Sequence, residues 1–402
     1  MCSFIIRFLF LLYNFIQILF LAVPQAMAYL QYPNFSISIL TPPFLNANNF
    51  LLIDFDSDQI LAQDNIDEKI EPASLTKMMS IYVVDHEIYH GNIQLTDQVF
   101  ISNKAGHAPG SRMFLEVASK VTVNELMKGV IIQSGNDASI ALAEHIAGTE
   151  SAFVDLMNSY ANVLGMSNTH FTNSTGLPDP EHYTSVKDIS LLAKALIKDF
   201  PKSYKLYSEK KFTFNGIEQL NRNILLWRND SVDGIKTGHT DSAGYCLVAS
   251  GKRDNMRLIA VIIGAKNDKI RTNEANKLLI WGFRFFETHK LYKAGEPFQN
   301  IRVWMGDINT LDIGFHKDLY VTIPRGQYKN IAVFLDVPKY LKAPVKKDLQ
   351  IGTYKVELKD QILIKKPIIA LETVNVANLL GRLINIVTIS FESFWEKVSC
   401  KM

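Results

Sequence analysis

The stretch Glu71-Pro72-Ala73-Ser74-Leu75-Thr76-Lys77-Met78-Met79 decides how this chain is read. Apolar spacing from Leu75 to Ile88 predicts a helix, and proline followed by small residues marks the break before it. Ser74 and Lys77 stand at i and i+3, which on a helix are neighbours on one face. At a helix N-terminus the backbone N–H groups and the dipole favour negative charge developing near the serine. For Lys77 to take the serine proton its amine must be neutral, so burial or a nearby cation must lower its pKa. The pattern is not selective alone, since Ser208 to Lys211 repeats it.

Upstream of that stretch, FLLIDFDS and ILAQDN between Phe50 and Ile70 read as a hairpin. Downstream, Asn124 to Leu164 reads as two or more helices joined by short polar turns. Within them Ser134-Gly135-Asn136 presents a hydroxyl and an amide in a turn; by itself this is an ordinary helix-capping element. Further on, Lys236-Thr237-Gly238-His239-Thr240 leads into YCLVAS, GKRDN and MRLIAVIIGA, a second hairpin pattern, and Glu274 to His289 returns to helical spacing. Gly238 would let a ligand backbone come close to the strand edge. After about Leu291 short strands separated by Pro, Gly and Lys turns predict an all-β domain.

Ser-x-x-Lys, Ser-x-Asn and Lys-Thr-Gly occur in that order, about sixty and about one hundred residues apart, the signature of penicillin-binding proteins and related β-lactamases. The chain resembles the low-molecular-mass D-alanyl-D-alanine carboxypeptidases, serine peptidases of family S11. The resemblance extends to IQSGNDASIALAEHIAG, FVDLMNSYANVLGMSNTHF, NRNILLW, VDGIKTGHTDSAGYCLVAS and LLIWGFRFFETH, covering about Phe50 to His289. It implies a transpeptidase-like α/β (α+β) fold, an antiparallel sheet with a helical cluster, followed by the small all-β domain and a terminal amphipathic helix.

By the same resemblance Ser74 is the nucleophile, acylated by the penultimate D-Ala carbonyl of a peptidoglycan stem peptide, and Lys77 the general base. Ser134 passes the proton to the departing D-Ala and Asn136 holds the substrate peptide. Lys236 supports Lys77 and Ser134 electrostatically, while Thr237 and Arg222 address the terminal carboxylate. The backbone N–H groups of Ser74 and His239 form the oxyanion hole, and β-lactam antibiotics acylate the same serine. No cofactor and no metal are expected. The loop from Gly106 to Lys120 is expected to border the cleft. Three rival readings remain. A class A-type β-lactamase would carry Ser-Asp-Asn and a Glu-x-x-Leu-Asn, whereas this chain has Ser-Gly-Asn and only the shorter Glu218-Gln219-Leu220-Asn221. A DD-endopeptidase shares all three motifs, and a catalytically idle membrane-surface scaffold is the third.

Composition narrows the partners. Of 402 residues 48% are apolar and 20% charged, which excludes a disordered chain, and a net charge of +2 without a basic tract argues against nucleic acid. Cys2, Cys246 and Cys400 form no metal-binding spacing and no disulfide framework. Arg7, the apolar run Phe8 to Val23 and Ala26-Met27-Ala28 have secretory signal anatomy, so residues 1–28 are expected to be removed on export. At ~100° per residue Leu380, Leu383, Ile384, Val387, Phe391, Phe394, Trp395 and Val398 share one stripe, with Arg382, Asn385, Glu392 and Glu396 opposite. The expected order is therefore signal peptide 1–28, catalytic domain 29–290, all-β domain 291–373 and amphipathic anchor 374–402. Such a protein is secreted across the cytoplasmic membrane and held peripherally on its periplasmic or extracytoplasmic face. Oligomeric state is silent in the sequence.

Overall fold

The strand-like runs and the helical spacing resolve into one antiparallel sheet with a helical cluster in a computed structural model that describes residues 40–388. The segment 1–28 read as a signal peptide, Cys2, Cys400 and the stripe residues from Phe391 onward lie outside the described residues. Five strands build the sheet: β1 (Asn49–Asp54), β2 (Ile60–Asp64), β3 (Val232–Thr240), β4 (Gly244–Arg253) and β5 (Met256–Ala265), in the order β2-β1-β5-β4-β3. All neighbours are antiparallel, so the hairpin read at Phe50 to Ile70 joins the one read at Tyr245 to Ala265 through β1 and β5. The order leaves β3, which carries Lys236-Thr237-Gly238, at an edge with one side free of strand partners.

Helices α1 to α4 sit between β2 and β3 in sequence. Helix α1 (Lys77–Tyr89) follows a 3₁₀ turn at Ala73–Thr76, so the serine lies in the turn and the regular helix starts at the lysine. Residues Lys77 to Asp85 are all buried, which is why this helix is apolar nearly all round: it runs through the centre of the cluster. Helices α2 (Asn136–Ala147) and α3 (Glu150–Val163) pack against it, and α4 (Val186–Asp199) joins it to the sheet side. Their buried faces share one core with Leu51, Ile53, Val248, Ile259 and Val261 of the sheet. Helix α5 (Asp268–Phe285) lies on β4 and β5.

The helical spacing read over Glu274 to His289 does not hold to its end. Helix α5 starts at Asp268, capped by the Asn267 side chain, and stops at Phe285. Phe286–Tyr292 is a strand because it finds an antiparallel partner in Leu319–Pro324, and strand pairing wins over local helical propensity. The following strands form a six-stranded sheet in the order Ile331–Asp336, Gln350–Leu358, Gln361–Ala370, Thr310–Gly314, Gln299–Trp304, Tyr340–Lys342. Its core is aliphatic with an aromatic cluster: Tyr354 is 1% exposed and meets Phe315 and Tyr292 at ring-centroid distances of 5.4 and 5.5 Å. Residues 379–388 are helical, with Leu380, Leu383, Ile384 and Val387 exposed. Among the described residues no helix is long and apolar enough to cross a membrane.

Candidate active site

The turn at Ala73–Thr76 and the first turn of α1 bring the two members of the first motif together, with Lys77 Nζ 3.1 Å from Ser74 Oγ. Ser74 is half-buried, while Lys77 is fully buried. The lysine nitrogen also donates to Asn136 Oδ1 at 2.6 Å and to the Thr175 carbonyl at 2.6 Å. Burial and then the Arg222 guanidinium lower its pKa to about 7, against an opposing pull from Asp137 and Glu150. A neutral amine has two N–H groups and one lone pair. With the two N–H groups taken by Asn136 and Thr175, the lone pair is left for the Ser74 hydroxyl.

The second motif forms because residues Gly129–Gln133 make one π-helical turn, after which Ser134 takes a left-handed backbone, φ +65°, before α2 begins. That reversal aims Ser134 at β3, where Lys236 Nζ donates to Ser134 Oγ at 2.8 Å and to the Thr237 carbonyl at 3.1 Å. Lys236 is 2% exposed, and burial followed by the charges of Lys77, Arg222 and Arg271 holds its pKa well below the usual lysine range. Two buried amines thus each serve one serine hydroxyl.

Ser74, Ser134, Arg222, Thr237, Gly238 and His239 line one cavity of about 690 Å³. Lys77, Asn136 and Lys236 stand behind its wall, each bonded to a residue that faces it: Lys77 to Ser74, Asn136 through its N–H to the Ser111 carbonyl, Lys236 to Ser134. Asn136, expected to hold substrate, has both ends of its amide engaged within the protein: Oδ1 on Lys77, Nδ2 donating to the Pro109 carbonyl at 2.6 Å. Gly238 has a packing reason: a Cβ there would lie 3.3 Å from both the Ala73 Cβ and the Pro72 carbonyl, so its lack of a side chain lets β3 close on the serine turn. Arg222 donates from Nε to the Gln133 carbonyl at 2.9 Å, which fixes its guanidinium beside Ser134. The His239 ring rests on Tyr245, 4.0 Å between centroids. The loop read as bordering the cleft does so through Ser111 and Phe114. Ser208 and Lys211 are engaged elsewhere, with the Lys205 carbonyl and Glu218.

Three contributors escape the motifs. The Thr175 carbonyl is a backbone group, set by a turn in which Asn173 Oδ1 accepts from the N–H groups of Thr175, Gly176 and Leu177. Arg271 on α5 also lines the cavity; it is 7% exposed, pairs with Asp268 at 2.6 Å and donates to the Gly238 carbonyl at 2.9 Å. Its one sequence signal is a cation inside a buried helix face, which reads equally well as a solvent-facing charge. Asp137, next to Asn136, is fully buried.

The family described as D-alanyl-D-alanine carboxypeptidase, peptidase S11, matches residues 38–267. The penicillin-binding protein 5 C-terminal domain matches residues 286–376. The D-alanyl-D-alanine carboxypeptidase DacC of Escherichia coli K12 is 44% identical over 385 residues, covering 94% of each chain. DacA of the same strain is 44% identical over 361 residues, covering 88% of this chain and 90% of its own. The crystal structure of penicillin binding protein 5 from Haemophilus influenzae superposes with a TM-score of 0.81 at 43% identity, covering 83% of this chain and 99% of that one.

Proposed function

The chain belongs to the D-alanyl-D-alanine carboxypeptidase family, and we propose that Ser74 is the nucleophile through which it works. It is a serine-type D-Ala-D-Ala carboxypeptidase, removing the terminal D-alanine of peptidoglycan pentapeptides and reacting with β-lactams. The observation that carries our assignment of roles is the buried Lys77 amine, whose two carbonyl acceptors leave its lone pair for the Ser74 hydroxyl.

The stem peptide enters the cavity along the free side of β3, where an extended backbone meets the unpaired groups of an edge strand. Its terminal carboxylate is drawn to Arg222 and Thr237. Ser74 gives its proton to Lys77 as Oγ bonds to the penultimate D-Ala carbonyl carbon, and the negative charge on the carbonyl oxygen falls to the N–H groups of Ser74 and His239. One such donor is worth about 10² to 10³ in rate. The C–N bond then breaks as the leaving amine takes a proton through Ser134, which Lys236 orients. Water attacks the Ser74 ester, the proton path runs in reverse, and the shortened peptide leaves. Release of free D-alanine from a peptide ending in D-Ala-D-Ala, by the purified protein and by Ser74→Ala, tests this. Release by the wild type alone is expected; equal release by the variant would overturn the assignment.

We also propose export with removal of residues 1–28 and peripheral attachment to the outer face of the cytoplasmic membrane through 374–402. The apolar stripe of that segment supports it, with Leu380, Leu383, Ile384 and Val387 left 59–69% exposed by the rest of the protein. Deleting 378–402 is expected to release a soluble enzyme with unchanged activity on short peptides. A truncated protein that still pellets with membranes would refute the attachment.

A further inference from the structure

Asp137 carries no motif letter, yet its carboxylate gathers four backbone N–H groups beside the cavity. Its Oδ1 accepts from the N–H groups of Met113 at 3.0 Å and Ala138 at 2.9 Å, and its Oδ2 from Phe114 at 2.9 Å and Leu115 at 3.2 Å. Four backbone donors thus hold one fully buried carboxylate. The same loop is gripped at its other groups: Asn136 N donates to the Ser111 carbonyl at 2.7 Å, and Gln219 Nε2 to the Met113 carbonyl at 3.0 Å. Phe114, which lines the cavity and is half exposed, sits in the middle of the grip with φ +68°, a left-handed conformation that bulky side chains resist.

The glycine of Ser134-Gly135-Asn136 belongs to this arrangement. A Cβ at position 135 would lie 2.7 Å from Asp137 Oδ1 and 3.3 Å from the Met113 nitrogen, and one at Gly129 would overlap the Met113 sulfur. Two small positions therefore make room for the clamp and for the residue it holds.

We propose that Asp137 is a positioning residue of the carboxypeptidase: by clamping the N–H groups of residues 113–115 it holds Phe114 and Ser111 against the cavity and so sets where the stem peptide lies relative to Ser74. It touches neither substrate nor the reacting atoms; apart from its electrostatic pull on the Lys77 amine, it acts through the loop. The inference rests on the carboxypeptidase reading, and D-Ala release by the wild type tests that reading separately.

Asp137→Asn keeps the shape but turns one acceptor oxygen into an NH₂ group facing N–H donors. Losing charge-assisted bonds of this kind is expected to raise KM for a D-Ala-D-Ala peptide about tenfold or more, with a smaller fall in kcat. Glycine adopts positive φ freely, so in a Phe114→Gly background the same Asp137→Asn change should alter KM less than about threefold. An equal KM change in both backgrounds, or a fall in kcat with KM unmoved, would overturn the proposal and leave Asp137 a support of the core. Should Asp137→Asn not fold, Gly135→Ala keeps the charge and presses on the clamp. A raised KM is then expected, and an unchanged KM overturns the proposal.

Discussion

Of the polar and charged side chains buried among the described residues, all but Thr322 lie before Phe286. Even Thr322 faces the catalytic part, sharing hydroxyl contacts with Ser57 at 2.6 Å and Thr288 at 2.9 Å beside Asp54. The strands that follow α5 are held by aliphatic and aromatic packing, while the catalytic part buries Lys77, Asp137, Lys236 and Arg271 in its walls. Burying a charge costs stability unless it is paired or hydrogen-bonded. The contrast teaches which part accepts that cost: the catalytic part does, around Ser74 and Ser134 and also at structural carboxylates such as Asp54, which accepts from the turn N–H groups of Asp56 and Ser57, and Asp188, which accepts from the Asn168 N–H.

The contrast would break most visibly at Ser74. Ser74→Ala removes one half-buried hydroxyl and is expected to lower D-Ala release by at least about 10³-fold with little change in unfolding temperature. A large loss of stability would show that the hydroxyl belongs to the packing as much as to the chemistry. The opposite pattern is expected beyond Phe286. Tyr354→Ala should cost about 3–5 kcal/mol in the strands it packs, read by urea unfolding, while D-Ala release from a short peptide stays within about twofold. Lost activity there would mean that the two parts do not separate as their burial does.

What the sequence told of this site follows from which atoms do the work. The roles proposed for Ser74, Lys77, Ser134, Lys236 and Thr237 are side-chain roles, so their spacing exposes them. Thr175 acts through its carbonyl, and Asp137 acts on three backbone N–H groups more than twenty positions away in the chain; neither leaves a letter pattern. Arg222 was legible only by likeness, because what places it is the Gln133 carbonyl on another element. The sheet was legible from the short apolar runs of β1, β4 and β5 set off by polar turns, runs that are buried almost continuously because both faces of the sheet are covered. The end of α5 was not, since the spacing through Phe283, Phe285 and Phe286 continues a helix until a distant strand, Leu319–Pro324, supplies a partner.

The smallest expected effect concerns the cost of keeping Lys77 ready. Its pKa in the fold is about 7, below the usual lysine value, chiefly through burial. Between those two values the unfolded chain binds a proton that the folded chain does not, so this group's contribution to stability rises with pH through the window. Below about pH 7 the burial penalty is felt in full. Lys77→Met removes the titration, so the stability of the wild type relative to this variant should grow by about 2 kcal/mol between pH 7 and pH 9, measured by urea unfolding at both. The activity of the wild type should follow the same proton, with kcat/KM falling as pH drops through about 7 because a protonated amine has no lone pair for Ser74. A stability difference that stays constant from pH 7 to pH 9 would mean the buried amine keeps its proton in the fold. Lys236, whose pKa is also held low and whose amine meets Ser134, would then be the base left for that serine.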